Sequence, residues 1–380
     1  MKKTACILLL ALLVVMGGTA DHGRAQDRQP VKAIYLPLAD HYAGIVAYEK
    51  YRSSMTRADY SIERMLSLPL LRAYFQSGEV DMAFIVSPMA MDMFLDEPNF
   101  RWVSLLHRDG NAMAINHLLN EEVGLAPERE NRKPDSKVAA ALARAGKEQG
   151  SPVKCAVPSP LATHAVILYK YLRDYGRTLG LGFGTDRDVM AVEVAPALSP
   201  VYIKKQNSRG VPAAFVQSLP WADVVETGGF GKVAWYSKDV MQWPNGHVEC
   251  IILATDEAIK NKPEALREVI TAIHRAGMDI ERARRAGGEE LRALTEMINK
   301  HIPEHNQEAI VQSLRTDLNV INYRHLNVDK AGLKQIMDLA VEGGILKKGI
   351  DIDSFADTGF STTLTEEEIA ETGVGRNGEP

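Results

Sequence analysis

The chain has 380 residues, of which 46% are hydrophobic and 24% charged. That is an ordinary globular composition, long enough for two cores of about 100–150 residues each. Its formal net charge of −5 excludes nucleic-acid binding driven by net charge.

The chain opens on "MKKTACILLLALLVVMGG", a basic start followed by an apolar run from Ala5 to Met16. Small residues follow, with cleavage sites after Ala20 or Ala25, the pattern of a secretory signal peptide over residues 1–25. The run is shorter than the roughly 20 residues a spanning helix needs. Cleavage removes Lys2, Lys3, Arg24 and Asp21, so the mature chain is more acidic still. An exported protein permits a disulfide between the two remaining cysteines, Cys155 and Cys250; two buried free thiols are the alternative.

"VKAIYLPL" predicts a first strand and "YAGIVAYEKYR" a helix with apolar residues at helical spacing. "DYSIERML" predicts a second strand. "SLPLLRAYFQSG" reads as a helix capped by Ser67, with Pro69 in its first turn and Gly78 at its end. Met82–Val86 gives a third strand. This β-α-β-α-β order implies a mostly parallel sheet covered by helices. "RWVSLLHRDGNAMAINHLL" adds two strands around an Asp-Gly turn. Asn120–Lys137 is polar with two prolines, the composition of a surface insertion. A second β-α series starts near Val153, and the chain past Cys250 is mainly helical. The last residues, from Thr365, are acidic and poor in apolar side chains, as a mobile tail would be.

The predicted architecture is α/β with two lobes. Residues 26–117 and 249–350 form one lobe, residues 118–248 the other, and 351–380 a C-terminal tail. The chain then crosses between lobes twice, near Asn116 and near His247, and two such lobes can hinge closed on a ligand. One device occurs twice. "GEVDMAFIVSPMA" (Gly78–Ala90) and "RGVPAAFVQSLPWA" (Arg209–Ala222) each read as a turn, a short buried strand and a Ser/Pro exit. Ligands of parallel sheets sit outside the carboxyl ends of strands. The two exits therefore place Ser87 and Pro88, and Pro220, Trp221 and Asp223, at the cleft.

No nucleotide-binding or catalytic signature is present. "GGFGKV" lacks phosphate-loop spacing, Gly180–Gly184 lacks a dinucleotide fingerprint, and no local nucleophile-base set can be assembled. In "PSPLATHAVILYKYL", Ser159 followed by Pro160 fits a helix start after a strand. That aims free N–H groups, Thr163 and His164 at the cleft, an anion site; plain capping by Ser159 is the alternative. Asp40 and His41 suit either a helix cap or the cleft wall. His107, Arg108, Asp109 and Asn111 mark a turn from which Asn111 can reach the cleft. With His41 and His164, His247 makes three cleft histidines. Three histidines can hold a metal, but these stand on three separate loops, so no metal and no cofactor is assigned.

These stretches, together with "LLHRDGNAMAIN" and "VECIILATDEAIKNKPEAL", resemble the solute-binding proteins of ATP-driven importers. The narrower likeness is to the group that includes nitrate-, bicarbonate-, sulfonate- and thiamine-precursor-binding members. It covers about Val31 to Gly344. The resemblance implies a type II periplasmic binding fold and a monomeric, non-enzymatic receptor that delivers a small, anionic solute to a membrane permease and its ATPase. It places ligand contacts at Ser67–Leu68, Asn111, His164, Trp221–Asp223 and His247. Leu68 stands where nitrate binders are expected to carry Trp, and His247 where they carry Lys. Both departures weaken nitrate itself and leave other oxyanions, sulfonates or organic acids. The alternatives are a same-fold receptor for a sensor kinase and an enzyme of pyrimidine-precursor synthesis, the latter disfavoured by the export signal.

Overall fold

The computed structural model describes residues 28–182 and 186–363. The signal peptide expected at 1–25 and the tail from Thr365 lie outside the described residues. No helix among the described residues is long and apolar enough to cross a membrane.

Among the described residues thirteen strands build the frame. They are β1 (Gln29–Tyr35), β2 (Ala58–Arg64), β3 (Met82–Val86), β4 (Phe100–Leu105), β5 (Arg108–Asp109), β6 (Asn111–Asn116), β7 (Val153–Val157), β8 (Leu179–Leu181), β9 (Val189–Glu193), β10 (Ala214–Ser218), β11 (Gly231–Tyr236), β12 (Cys250–Thr255) and β13 (Ile321–Asn322). Five form one sheet in the order β2-β1-β3-β12-β4, and six form a second in the order β11-β6-β10-β7-β9-β8. In each sheet the β-α-β strands run parallel, and the strands bordering a crossover run antiparallel: β12 against β3 and β4, and β6 against β10 and β11. β3 and β10, the twin strands of the duplicated device, are wholly buried, because helices cover both faces of each sheet. This is the expected two-lobed α/β architecture.

The first crossing falls earlier than expected. β6 lies in the second sheet, so the chain leaves the first lobe at His107–Gly110, not near Asn116. The turn "HRDG" makes the change of sheet, with Asp109 at φ 59° and Gly110 at φ 93°. A Cβ on Gly110 would stand 2.9 Å from Ile321 Cδ1, in strained backbone. The second crossing falls between β11 and β12, in the stretch that contains His247. At the first crossing β5 pairs with β13 from the C-terminal region, making a small two-stranded ladder between the lobes.

Two polar segments are more firmly held than their composition implied. The Asn120–Lys137 insertion buries Arg129 and Arg132. Arg129 pairs with Asp223, and Arg132 grips both oxygens of Glu226 at 2.8 and 3.1 Å while donating to three backbone carbonyls. The segment is thus pinned to the second lobe. The start of the expected tail also packs. Ile352–Phe355 is a short helix whose Phe355 is fully buried against Trp102, Phe94 and Phe100. Burying such a ring contributes about 2–3 kcal/mol.

The helices after β12 serve both lobes. Pro263–Ala286 packs on the first lobe's Tyr42–Tyr51, whereas Gln307–Ser313 packs on Trp221–Thr227 of the second. Lys330–Glu342 touches both Thr163–Asp174 and Ser87–Asp96.

Candidate functional site

The lobes meet where the loop after β1 faces the exit of β10. The backbone N–H of Ala39 donates to Leu219 O at 2.8 Å, and Trp221 Nε1 donates to Pro37 O at 3.0 Å. The Trp221 ring also stands edge-on to His305, with centroids 4.6 Å apart. His305 Nε2 lies 3.1 Å from Pro37 O and its Nδ1 2.9 Å from Tyr42 Oη. A carbonyl only accepts, so Nε2 carries the proton and Tyr42 donates to Nδ1.

Behind this contact lies a buried polar cluster drawn from both lobes. Asp40, His41, Ser87, His107 and Glu249 come from the first lobe and its boundary; Asn111, Thr163, His164 and Ser218 come from the second. His247 and Cys250 border it. All are at most 1% exposed.

The cluster has an ordered proton arrangement. Ser218 Oγ donates to Asp40 Oδ2 at 2.6 Å, so it accepts from His164 Nε2 at 2.8 Å. His164 Nδ1 is thereby left as the bare nitrogen, 3.5 Å from Glu249 Oε1. His107 Nε2 and Cys250 Sγ each stand 3.6 Å from Asp40 Oδ2. His247 donates from Nδ1 to Val248 O and turns Nε2 toward Asp109 Oδ1 at 3.6 Å.

Burial opposes the Asp40 charge, yet its neighbours, His107 foremost, outweigh it and hold that carboxyl below its usual range. Glu249 goes the other way: burial first, and then the Asp40 charge, push it well above. The same buried cluster therefore pushes its two carboxyl groups in opposite directions. Burial lowers His164 to about 3 and His41 to about 4, so both imidazoles are neutral. It also raises the Cys250 thiol well above its ordinary value. Many polar atoms here have no partner: Asp40 Oδ1, Ser87 Oγ, both nitrogens of His107, both amide atoms of Asn111, Thr163 Oγ1, His164 Nδ1, His247 Nε2 and both oxygens of Glu249. Leaving such groups unsatisfied costs about 1–3 kcal/mol each.

Of the residues expected at the cleft, Asp40, His41, Ser87, Asn111, Thr163, His164 and His247 come together here. Trp221 forms the wall, entered through the cis Leu219–Pro220 bond. Leu68 and Pro88 are buried in the first turns of their helices and bring no polar group. Asp223 turns to Arg129 instead of the cluster. Ser159 does not cap the helix. Residues 159–162 form a turn closed by Ala162 N–H on Ser159 O at 3.0 Å, and the helix starts at Thr163 without a side-chain cap. Its free N–H groups are thus those of Thr163 and its neighbours.

His107, Ser218, Glu249 and Cys250 were not assigned to the site from sequence. In "HVEC" a His and a Glu two residues apart lead directly into the apolar strand β12, a spacing that in extended chain projects both to one side. That alternation was the available signal. Cys250 and Cys155 are buried free thiols on strands of different sheets, with no disulfide between them.

Two lobes of this topology, crossed twice by the chain with a polar cluster buried between them, define the type II periplasmic binding fold. The sequence matches the profile of the NMT1-like family over residues 24–291, and the chain belongs to that family. No curated protein matches it at a significant level. Among solved structures it is similar to the ligand-binding component of an ABC-type import system from Staphylococcus aureus with zinc bound. Identity is 17%, covering 88% of this chain and 98% of that one, with a TM-score of 0.66. It is also similar to the periplasmic nitrate-binding protein NrtA from Synechocystis PCC 6803, at 16% identity, 91% and 88% coverage and a TM-score of 0.68. The desulfurization enzyme DSZB shares the fold at 13% identity, 90% and 99% coverage and a TM-score of 0.55.

Proposed function

We propose that this protein is an exported solute receptor of an ABC importer, which captures a small solute by closing its lobes and hands it to a membrane permease. The observation that carries this reading is the polar cluster enclosed between the lobes. Donors and acceptors from both lobes stand unpartnered there, as a receptor's would if the solute were to satisfy them. A neighbour of the same fold described as the ligand-binding component of an ABC-type import system supports the transport role.

The solute is small and polar. An anion is supported by the neutral donors of the cluster: the hydroxyls of Ser87 and Thr163, the Asn111 amide and the N–H groups that open the helix at Thr163. A receptor role rather than an enzymatic one is supported by the Cys250 thiol, whose raised pKa makes it a poor nucleophile. Native mass spectrometry of protein purified from the periplasm tests the reading. A bound small molecule should appear in the wild type and be lost in Asn111→Ala. A solute-free wild type whose melting temperature also stays fixed across nitrate, bicarbonate, sulfonates and organic acids would sink it.

A further inference from the structure

We propose that Asp40, His107 and Cys250 form a binding site for one divalent transition-metal ion of the zinc type. A carboxylate, an imidazole and a thiol are the three side-chain donors such ions take. One ligand atom from each lies within 4.8 Å of the others, and all three side chains are buried. The spacing suits a shared ion. His107 Nε2 and Cys250 Sγ each stand 3.6 Å from Asp40 Oδ2. A tetrahedral zinc with ligand distances of about 2.0–2.3 Å has edges of roughly 3.3–3.5 Å, so the two edges at Asp40 need contract by only a few tenths of an ångström, and the His107–Cys250 edge lies within 4.8 Å.

The second observation is what these atoms lack. Both His107 nitrogens and Asp40 Oδ1 are buried without a hydrogen-bond partner. Those atoms are either a standing cost or the vacant half of a bond to something else. At these three ligands the Asp40 carboxylate favours a cation. Asp40, Glu249 and Asp109 supply carboxyl groups, and His41, His164 and His247 supply imidazoles. Among the described residues no Lys or Arg bonds to Asp40, Glu249 or the four histidines. A dication would turn the local preference of the Cys250 thiol round, since a coordinating thiol releases its proton to solvent.

Position in the fold adds one more feature. Asp40 follows β1, His107 follows β4 and Cys250 opens β12, so all three ligands stand on the first lobe. The site is complete while the cleft is open, and His164 of the second lobe closes over it afterwards. A metal here follows from side-chain geometry alone, whether or not the protein serves an importer.

The test uses full-length mature protein stripped with chelator and titrated with Co(II), then with Zn(II). The expected result is one ion per chain, tetrahedral Co(II) bands in the visible, and a near-ultraviolet thiolate-to-cobalt band that zinc abolishes. Zinc should also shield Cys250 from alkylation in the wild type, a readout that needs no variant to fold. Cys250→Ser should lose the near-ultraviolet band and bind zinc at least about 100-fold more weakly, while Cys155→Ser keeps both. Absence of stoichiometric binding, or cobalt bound without the thiolate band, overturns the proposal. So does a Glu249→Gln variant that loses the ion while Cys250→Ser retains it, which would move the ion to Asp40, His164 and Glu249. Failure of any of these leaves the solute assay with Asn111→Ala standing on its own.

Discussion

Closure of the lobes rests on a short list of contacts, and Trp221→Phe removes one cleanly. The indole N–H donates across the cleft to Pro37 O, while the ring packs on His305. Phe keeps an aromatic ring against His305 but has no donor. Pro37 O is not orphaned by the change, because His305 Nε2 still donates to it at 3.1 Å. The loss is therefore that of one ordinary hydrogen bond, about 1 kcal/mol, without an added desolvation penalty. Charged to the closed state alone, it shifts the closed-to-open ratio about fivefold. The backbone N–H of Ala39 reports that ratio directly, since its acceptor, Leu219 O, lies on the other lobe. Hydrogen exchange at Ala39 should therefore quicken about fivefold in Trp221→Phe, while the Ala33 amide, inside β1, exchanges as before. Equal acceleration at both amides would mean a global loss of stability, and no change at Ala39 would mean that Trp221 does not hold the lobes together. Either outcome refutes the assignment of Trp221 as a closure contact.

Three further outcomes follow from named groups. His274 is buried between Ser104 Oγ and Thr362 Oγ1, and burial lowers it from 6.5 to about 4. The unfolded chain therefore takes up this proton first; the stability is present above about pH 6.5 and is lost as pH falls toward 4. Between pH 7 and pH 5 the wild type should lose about 2 kcal/mol more than His274→Gln in urea unfolding, and parallel curves would refute the assignment. Arg132→Met removes a two-pronged partner of Glu226 and the donor to three backbone carbonyls, and should cost about 3–5 kcal/mol in the same assay, at the lower end because Arg129 remains near Glu226 at 3.5 Å. Ser218→Ala deletes the hydroxyl that links His164 to Asp40 between the lobes. It should weaken solute retention in native mass spectra about fivefold to tenfold with little change in the urea midpoint of either lobe, and an equal loss in both readouts would reassign Ser218 to the core.

Local signals carried most of the fold. Ser67 accepts from Leu70 N–H as an N-cap should, and the strands Ala58–Arg64 and Met82–Val86 stand where alternation and apolar runs placed them. The misreadings share a cause, which is partnership at long range. Arg129 and Arg132 looked solvated because their acidic partners, Asp223 and Glu226, lie 94 residues away in sequence. Ser159 had the right neighbours for a cap, but its turn closes on itself before the helix begins. Asn111–Asn116 was given to the wrong lobe because a strand's sheet depends on its partners, here β10 and β11. At the site, His41, His164 and His247 were legible as polar residues at element ends. His107, Ser218 and Cys250 were not, because each is unremarkable until Asp40 is brought beside it. The two exits of the duplicated device both lie at the contact between the lobes. Its first exit supplies Ser87 and packing, and its second supplies Ser218 and Trp221, the groups that reach across.

The β5–β13 ladder gives the hinge a third strand. Ile321 and Asn322 pair with Asp109 and Arg108 at the first crossing, and Arg108 is tied further to Asp329 at 2.9 Å. A body joined by two bare tethers swings through a wide arc, and most of its orientations cannot grip a solute. A stay fixed across the pivot narrows that arc, so less orientational freedom is lost when the lobes come together. The stay is built from residues some two hundred positions downstream of the pivot it stiffens. A chain cut after residue 291, where the family match ends, would keep every strand of both sheets and lose the stay. Such a fragment would shut on its solute from a far looser starting state.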